Sequence, residues 1–495
     1  MNRNYKKVGW IFLSTILLTI GVSLFMFNSC NNIGGSRYVR KNANSPEAQS
    51  DIEAMNKALS IMRQKNCTDP LSWYYQGAVH WIPDSIPNNS LCESYHGVSD
   101  LRTAWDNCTH SPTGKEKIHF LVWHRLYIWH FEKIVRKLSG KKDFALPYWG
   151  YTNNNDYDKV MPKLFRDSKS FGHSGNALYE SCRYDSLNQG QPLTGEIERA
   201  VDLTKLMTYK DYHTFCMNIN AAPHGAMHDY IGAGNDTTGT LQFKNPITGT
   251  ITNTGLMGWV PTAGFDPIFW LHHSNIDRVW QQWTNSENGQ MITLEELKSV
   301  EWPYVFFDEN GSKVEYTMEE VIKIIYDMDY DFDDTKVKPI ENPTLVQTTI
   351  VKELANQSTK KSVNGSVTKF SIGKNNLLNS SVKTFNRVYM EVTVSFTDVP
   401  RGVYEIYLNN PNDVYSTSGQ NFVGFMNFFG FDSKTQSKSC REGCCTPLNS
   451  DGRPYTIFYY ELDPKEVNGN YNISVYKHNR LSNDLVIENV RITGR

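Results

Sequence analysis

The sequence predicts a mainly α-helical core followed by a C-terminal β-sandwich, behind an N-terminal export or anchoring segment. Three observations carry this. Two stretches, His119–Glu132 continuing to Leu138 and Asp266–Trp283, place apolar residues at helical spacing. Beyond residue 388 the pattern changes to short period-two segments split by turns. Ahead of both, Val8–Phe27 is an almost unbroken apolar run behind the basic Met1–Lys7.

At 495 residues the chain has room for one large domain and a second. A formal net charge of -2 excludes a general polyanion binder, nucleic acid included. The apolar run is intermediate in length between a signal core and a spanning helix. Ser29-Cys30 after it is similar to a bacterial lipoprotein cleavage site, which puts a lipid on Cys30. The alternative is an uncleaved signal anchor; both place the body outside the cytosol, secreted or membrane-anchored. There the other eight cysteines (Cys67, Cys92, Cys108, Cys182, Cys216, Cys440, Cys444 and Cys445) can form bridges. Sequence does not fix their pairing. The expected division is a signal or anchor over 1–30, a linker over 31–50, a helical domain over 51–300, a connecting module over 301–340, a linker over 341–381 and a β-sandwich over 382–495.

Taken in order, Asp51–Arg63 sets Ile52, Met55, Leu59 and Met62 on one helical face. Ser72–His80 follows, then a loop rich in Pro, Asn and Ser. In the helix after His119, Leu121, His124, Ile128, Phe131, Val135 and Leu138 face inward. Glu132 and Arg136 form an i,i+4 pair expected on the exposed side. Tyr151–Thr208 is polar and reads as an insertion over the core. Asp211–Tyr230 is expected to hold the helix that carries His224 and His228, and Gly232–Gly258 to be a loop with a small hairpin. The next helix starts just after Pro267. Pro303–Gly311 reads as strand and turn, Tyr316–Tyr326 as a short helix. Val388–Phe396, Gly402–Leu408, Phe422–Phe429, Tyr455–Glu461 and Tyr471–His478 read as strands.

A lone histidine among aromatics is most often a satisfied core residue. Here the histidines recur at metal spacing. His224 and His228, in Pro223-His-Gly-Ala-Met-His228, lie at i and i+4 on one helical face and can share an ion. His273, in the Asp266–Trp283 stretch, supplies a third nitrogen. His80, His110 and His124 form a second set of three. Neutral imidazole suits copper, zinc and iron, and the absence of carboxylates favours copper over a di-iron site. Arg125, Asp266 and Asp277 are polar groups in apolar helices. Unpaired burial would cost a few kcal/mol each, roughly, so buried pairing is expected.

Phe120-Leu-Val-Trp-His-Arg125 with Glu132, and Asp266-Pro-Ile-Phe-Trp270 with His273 and Asp277, resemble the two signatures of the tyrosinase/catechol oxidase family. The resemblance covers His80–Trp283 and extends through Pro303–Gly311. Glu405-Ile-Tyr-Leu-Asn409 and Phe422-Val-Gly-Phe425 resemble strands of the C-terminal β-domain of plant polyphenol oxidases. It implies a four-helix bundle around a dinuclear type-3 copper site. The first copper takes His80, His110 and His124, the second His224, His228 and His273. Motif spacing selects His273 of the His272-His273 pair and leaves His272 a supporting or structural role. The family places its middle first-site histidine nearer Phe120; His110 is taken over His119 because Cys108-Thr109-His110 matches the family's Cys-x-His thioether. The ordinary alternative is a Cys108 bridge to Cys67 or Cys92. His96, His130 and His173 lie off the motifs and are expected to be structural or at the surface.

The resemblance implies oxidation of o-diphenols to o-quinones by O2. Val260 stands where plant enzymes carry a bulky gate phenylalanine, and Gly225 and Asp229 line the same mouth. Asn220 and Gly225 occupy the places that favour monophenol hydroxylation in other members, so diphenol oxidation is favoured. The β-domain is either a lid over the mouth or a stabilising appendage. The rivals are a haemocyanin-like reversible O2 carrier, using the same six histidines, and a zinc hydrolase. The hydrolase lacks the glutamate after His224 that a zincin needs.

Overall fold

The structure is a computed structural model. It describes residues 38–80, 92, 115–171, 175–233, 241–247, 249–337, 352–373, 385–411, 413–431, 447–467, 471–478 and 484–494. The apolar run, Cys30, His96, Cys108, His110 and His173 lie outside them. The chain forms two compact units, Met1–Tyr38 and Val39–Arg495; everything described below except Tyr38 falls in the second. Among the described residues no helix is long and apolar enough to cross a membrane.

The helical part is built on α1 (Gln49–Gln64), α2 (Trp73–His80), α3 (Phe120–Ser139), α4 (Tyr212–Ile219), α5 (Ala226–Ile231) and α6 (Ile268–Asn285). α1 buries Ile52, Met55, Leu59 and Met62 against α3, the face its periodicity defines. The Ser72 hydroxyl accepts from the Tyr75 amide at 3.0 Å and caps α2, whose last residue is His80. α3 stops where Gly140 takes φ 76°, a left-handed C-cap that a side chain would oppose. α6 begins directly after Pro267, and the Asp266 carboxylate accepts from the Ile268 amide at 3.0 Å. Phe131 of α3 stacks on Trp270 of α6, with ring centroids 3.5 Å apart.

The Asp211–Tyr230 segment is not one continuous helix. Pro223 has no amide hydrogen to give, and Ala222 leaves helical geometry at φ -151° and ψ 131°. A wide turn, Asn220–Gly225, therefore separates α4 from α5. Glu132 is also not on an exposed side. It is fully buried, because Arg40 reaches it from outside the helix at 2.8 Å while Arg136 holds its other oxygen at 2.7 Å. Arg40 belongs to the stretch expected as linker. Its guanidinium also meets Asp277 at 2.9 Å and lies 3.6 Å from the Tyr330 ring centroid. Asp277 receives Arg125 at 2.5 Å as well, and the Tyr330 hydroxyl. Arg183, inside the polar Tyr151–Thr208 stretch, is fully buried on Asp266 at 2.5 Å. The expected pairing of Arg125, Asp266 and Asp277 is thus met, with Arg40, Arg183 and Tyr330 as partners that sequence did not indicate.

Tyr304–Phe307 and Lys313–Tyr316 form a hairpin, followed by a helix over Met318–Tyr326 with a Thr317/Glu320 capping box. The C-terminal part is two antiparallel four-stranded sheets. One runs Phe422–Asn427, Val403–Leu408, Tyr471–Lys477, Val367–Ile372; the other Tyr455–Leu462, Val388–Ser395, Val486–Gly494, Lys352–Ser362. Val392, Val394, Ile473, Val475 and Ile492 share one apolar cluster between them. Residues 352–362 and 367–372, expected as linker, are strands of these sheets. Their side chains are polar because Lys352–Ser362 is an edge strand with one partner and a largely exposed face.

Arg40→Ala takes one of two cations from each of two buried carboxylates and is expected to lower unfolding free energy by about 3 kcal/mol. Urea denaturation checks this, and a change under about 1 kcal/mol would remove the network from the fold's supports. Two core histidines give a pH dependence. Burial pulls His119 down to about 4 and His130 to about 3, so both are neutral when folded. Below about pH 6.5 the unfolded chain binds protons that the folded chain refuses, so stability falls as pH drops from 6.5 toward 4. Each imidazole is expected to remove about 2 kcal/mol at pH 5, and His130→Gln should recover its share in metal-free urea melts at pH 7.5 and 5.

Candidate metal centre

His80 ends α2, His124 lies in the first turn and a half of α3, His224 closes the wide turn, His228 is in α5 and His273 in α6. All five are buried. The kinked segment still delivers His224 and His228 to one place, with ring centroids 4.6 Å apart. His273 lies 5.1 Å from His224 and 5.6 Å from His228. His124 stacks on His273 at 4.3 Å, and His80 is 5.7 Å from His124. Five of the six expected ligands therefore converge across four separate segments. The sixth, His110, and its neighbour Cys108 lie outside the described residues. Cys67 and Cys92 pair with each other, which removes both partners of the ordinary bridge suggested for Cys108.

Four of the five imidazoles, all but that of His273, are braced in a common way. The Nδ1–H of His80 donates to the Val260 carbonyl at 3.0 Å, that of His124 to Phe120 at 2.8 Å. His224 does the same with Asn220 at 3.2 Å and His228 with Met257 at 2.9 Å. A proton on Nδ1 leaves the Nε2 lone pair as the donor on the opposite edge of the ring, the tautomer a metal needs. Burial holds His80 down at about 3, and His124, His228 and His273 well below the ordinary imidazole range, with neighbouring imidazoles adding to the effect. The rings are neutral and can ligate at ordinary pH. His119, the alternative first-site ligand, has its Nδ1 on the Tyr304 hydroxyl at 2.7 Å and its Nε2 on the Val300 carbonyl at 3.1 Å. Neither nitrogen is offered to an ion.

Two nitrogens face each other closely: Nε2 of His228 and Nε2 of His273 are 3.4 Å apart. Two imidazoles on one tetrahedral ion, with bonds of about 2.0–2.1 Å, bring their nitrogens to about 3.3 Å. His224, His228, His272 and His273 each offer a ligand atom, all within 4.8 Å of one another. The donor set is all nitrogen, which suits copper. Phe120 and Phe269 wall the site, with Phe269 4.8 Å from His80 and 4.2 Å from His273.

The mouth is closed by the β-sandwich. Phe429, just past the strand Phe422–Asn427, stacks on His228 at 4.1 Å and 13°. The Asn427 amide donates to Asp229 at 2.7 Å. A Cβ on Gly225 would stand 2.4 Å from the Asn427 side-chain oxygen, so no larger residue fits beneath this loop. Burial pushes the Asp229 carboxyl up to about 7, with the Asn427 amide opposing. Val260, the expected gate, is buried and contributes its carbonyl to His80. Around the mouth Arg199 clasps Glu405 through bonds of 2.8 and 2.6 Å, Asn218 reaches the Tyr459 carbonyl and Tyr209 that of Val423. Phe422 and Phe425 pack into the helical core. No local signal marks Asn427 or Phe429, which lie about two hundred residues from the histidines they cover.

Residues 70–189 and 185–286 match the profile of the common central domain of tyrosinase. A tyrosinase from Hahella sp. (strain CCB-MM4) is 27% identical over 285 residues, 54% of this chain and 57% of that protein. Polyphenol oxidase C of Solanum lycopersicum is 26% identical over 260 residues, 46% and 39% of the two chains. The match thus spans about half the length of these relatives. A latent aurone synthase structure superposes with TM-score 0.60 over 93% of this chain and 91% of that one at 17% identity. Latent apple tyrosinase gives TM-score 0.60 over 93% and 98% at 17% identity. These superpositions extend the shared fold through the β-sandwich. Histidines braced for metal, two signatures in order and the profile match give residues 70–286 the common central domain of tyrosinase, a family with a dinuclear copper site that this cluster of histidines fits.

Proposed function

We propose that the protein is a type-3 copper oxidase that converts o-diphenols to o-quinones with O2. The observation that carries this is the 3.4 Å approach of the His228 and His273 nitrogens, inside a set of carbonyl-braced neutral imidazoles. In this reading His80, His110 and His124 hold the first copper and His224, His228 and His273 the second, presented by a four-helix arrangement. A bound copper pair supplies electron exchange with O2. Two diphenols give up four electrons and four protons, and one O2 becomes two waters. The chain supplies orientation and water exclusion: a flat phenol ring takes the place of Phe429 between the His228 face and the Gly225–Asp229 mouth.

The same reading makes the β-sandwich a lid. Phe429 occupies ring-stacking space that an aromatic substrate needs, and Arg199–Glu405 latches the sandwich to the helical part. The division proposed is a helical catalytic domain ending near residue 300, a connecting module to about 340, and a β-domain. Secretion or membrane anchoring through the N-terminal segment, or a lipid on Cys30, belongs to the proposal too. A haemocyanin-like O2 carrier uses the same histidines, and catechol turnover separates it from the enzyme.

Copper-loaded protein is expected to give quinone absorbance with catechol. Phe429→Ala, or cleavage between residues 341 and 351, should raise the rate at least tenfold, an order-of-magnitude expectation for unblocking a binding site. No oxidation by opened, fully loaded protein would remove the enzyme reading. Tyrosine hydroxylation should be slow or absent by oxygen uptake, and a short lag followed by rapid consumption would contradict the diphenol preference.

A further inference from the structure

Beside the covered mouth, between the helical part and the β-sandwich, lies a small cavity. Lys117, Asn218 and Asn220 line it from the helical side, Phe425, Phe429 and Tyr459 from the sandwich. It encloses about 20 Å³, room for about one water molecule. Two of its walls are shared with the metal centre. Phe429 stacks on His228 at 4.1 Å, and the Asn220 carbonyl accepts from His224 at 3.2 Å. The Phe429 ring therefore divides the cavity from the histidines, and removing it joins the cavity to the mouth. The polar wall groups differ in what they already hold. The Asn218 amide donates to the Thr214 and Tyr459 carbonyls, both at 2.8 Å, and the Asn427 amide to Asp229 at 2.7 Å. Among the described residues that line the cavity, Lys117 is the one with a charge, and none carries a carboxylate. Lys117 is 6% exposed. Its backbone is tied to α4, where its carbonyl accepts from the Cys216 thiol at 3.3 Å and that of Ile118 from the Tyr212 hydroxyl at 2.9 Å. Three residues on, Phe120 packs against His224 at 4.6 Å.

We propose that this cavity is a tail subsite for an o-diphenol that bears a carboxylate, with the diol ring in the place of Phe429 and the carboxylate on Lys117. The inference rests on the dicopper oxidase reading and names its substrate class. A cation set in an aromatic wall selects an anion, because a charge-assisted hydrogen bond is strong where little water competes. Phe425 and Tyr459 give the carbons between ring and carboxylate an apolar surface to pack on. A tail ending in an amine meets a like charge at the same place and is rejected. Lys117 holds the part of the substrate that does not react, so it acts on binding and leaves the chemistry at the diol to the metal centre.

The test uses the full copper-loaded chain with Phe429→Ala, which keeps the sandwich wall and opens the cavity. Three probes share the diol ring and differ in tail charge: dihydroxyphenylpropanoic acid, methylcatechol and dihydroxyphenethylamine. KM is expected to be lowest for the acid and highest for the amine, with about tenfold between acid and methylcatechol, the order for one charge-assisted hydrogen bond. Lys117→Met, added to Phe429→Ala, is expected to raise KM for the acid about tenfold relative to that for methylcatechol, and Lys117→Arg to restore most of the preference. Equal KM values for acid and methylcatechol in the chain that keeps Lys117 would overturn the inference, and that comparison needs no change at Lys117. An equal rise for all three probes in Lys117→Met would overturn it too, since a merely structural lysine gives that result. If no probe is oxidised, the oxidase reading fails and this inference with it. If methylcatechol is oxidised and the acid has no advantage, only this inference fails.

Discussion

The Asp277 carboxylate is the point on which the site's geometry depends. It lies four residues after His273, one turn along α6, and ties that helix to α3 through Arg125. Arg125 is adjacent to His124, so the ion pair fixes the two histidines relative to each other as firmly as it fixes the helices. Arg40 then spans Asp277 and Glu132, and Tyr330 closes the remaining side. Arg125 also packs over the Trp280 ring at 3.8 Å. Buried charges of this kind add little net stability over an apolar core, but they penalise every misaligned arrangement heavily. Their value here is positional: an ion bridging helices tolerates errors of a few tenths of an ångström.

From that frame the ligand tautomers follow by backbone geometry. His124 and His224 each use a carbonyl four residues earlier, Phe120 and Asn220, so their orientation is nearly local. His80 and His228 use the carbonyls of Val260 and Met257, in a segment that carries no histidine of its own. That loop thereby links the two halves of the site. Backbone carbonyls are dependable braces because no substitution removes them, and only a change in chain path does.

The β-sandwich covers the mouth. It presents Asn427 and Phe429 to the mouth while Phe422 and Phe425 join the helical core. The contact mixes apolar packing with buried hydrogen bonds to Asp229, Glu405 and the Tyr459 carbonyl. Such an interface is specific in register, and the sandwich has an apolar cluster of its own besides.

The sequence alone determined the α-then-β order, the start of α6 after Pro267, five strands of the sandwich and the histidines that meet, because periodicity, proline and motif spacing are local properties. It also implied that Asp277 and Arg125 must be paired. It could not show the polar strand Lys352–Ser362, since an edge strand with an exposed face has the composition of a linker. Nor could it show the burial of Glu132, the Tyr151 hydroxyl against the His272 Nδ1 or the ring laid over His228. Those depend on Arg40, Tyr151 and Phe429, side chains distant in sequence that only the folded chain brings to the same few ångströms. Local pattern decides which groups are available; three-dimensional packing decides which of their atoms face one another.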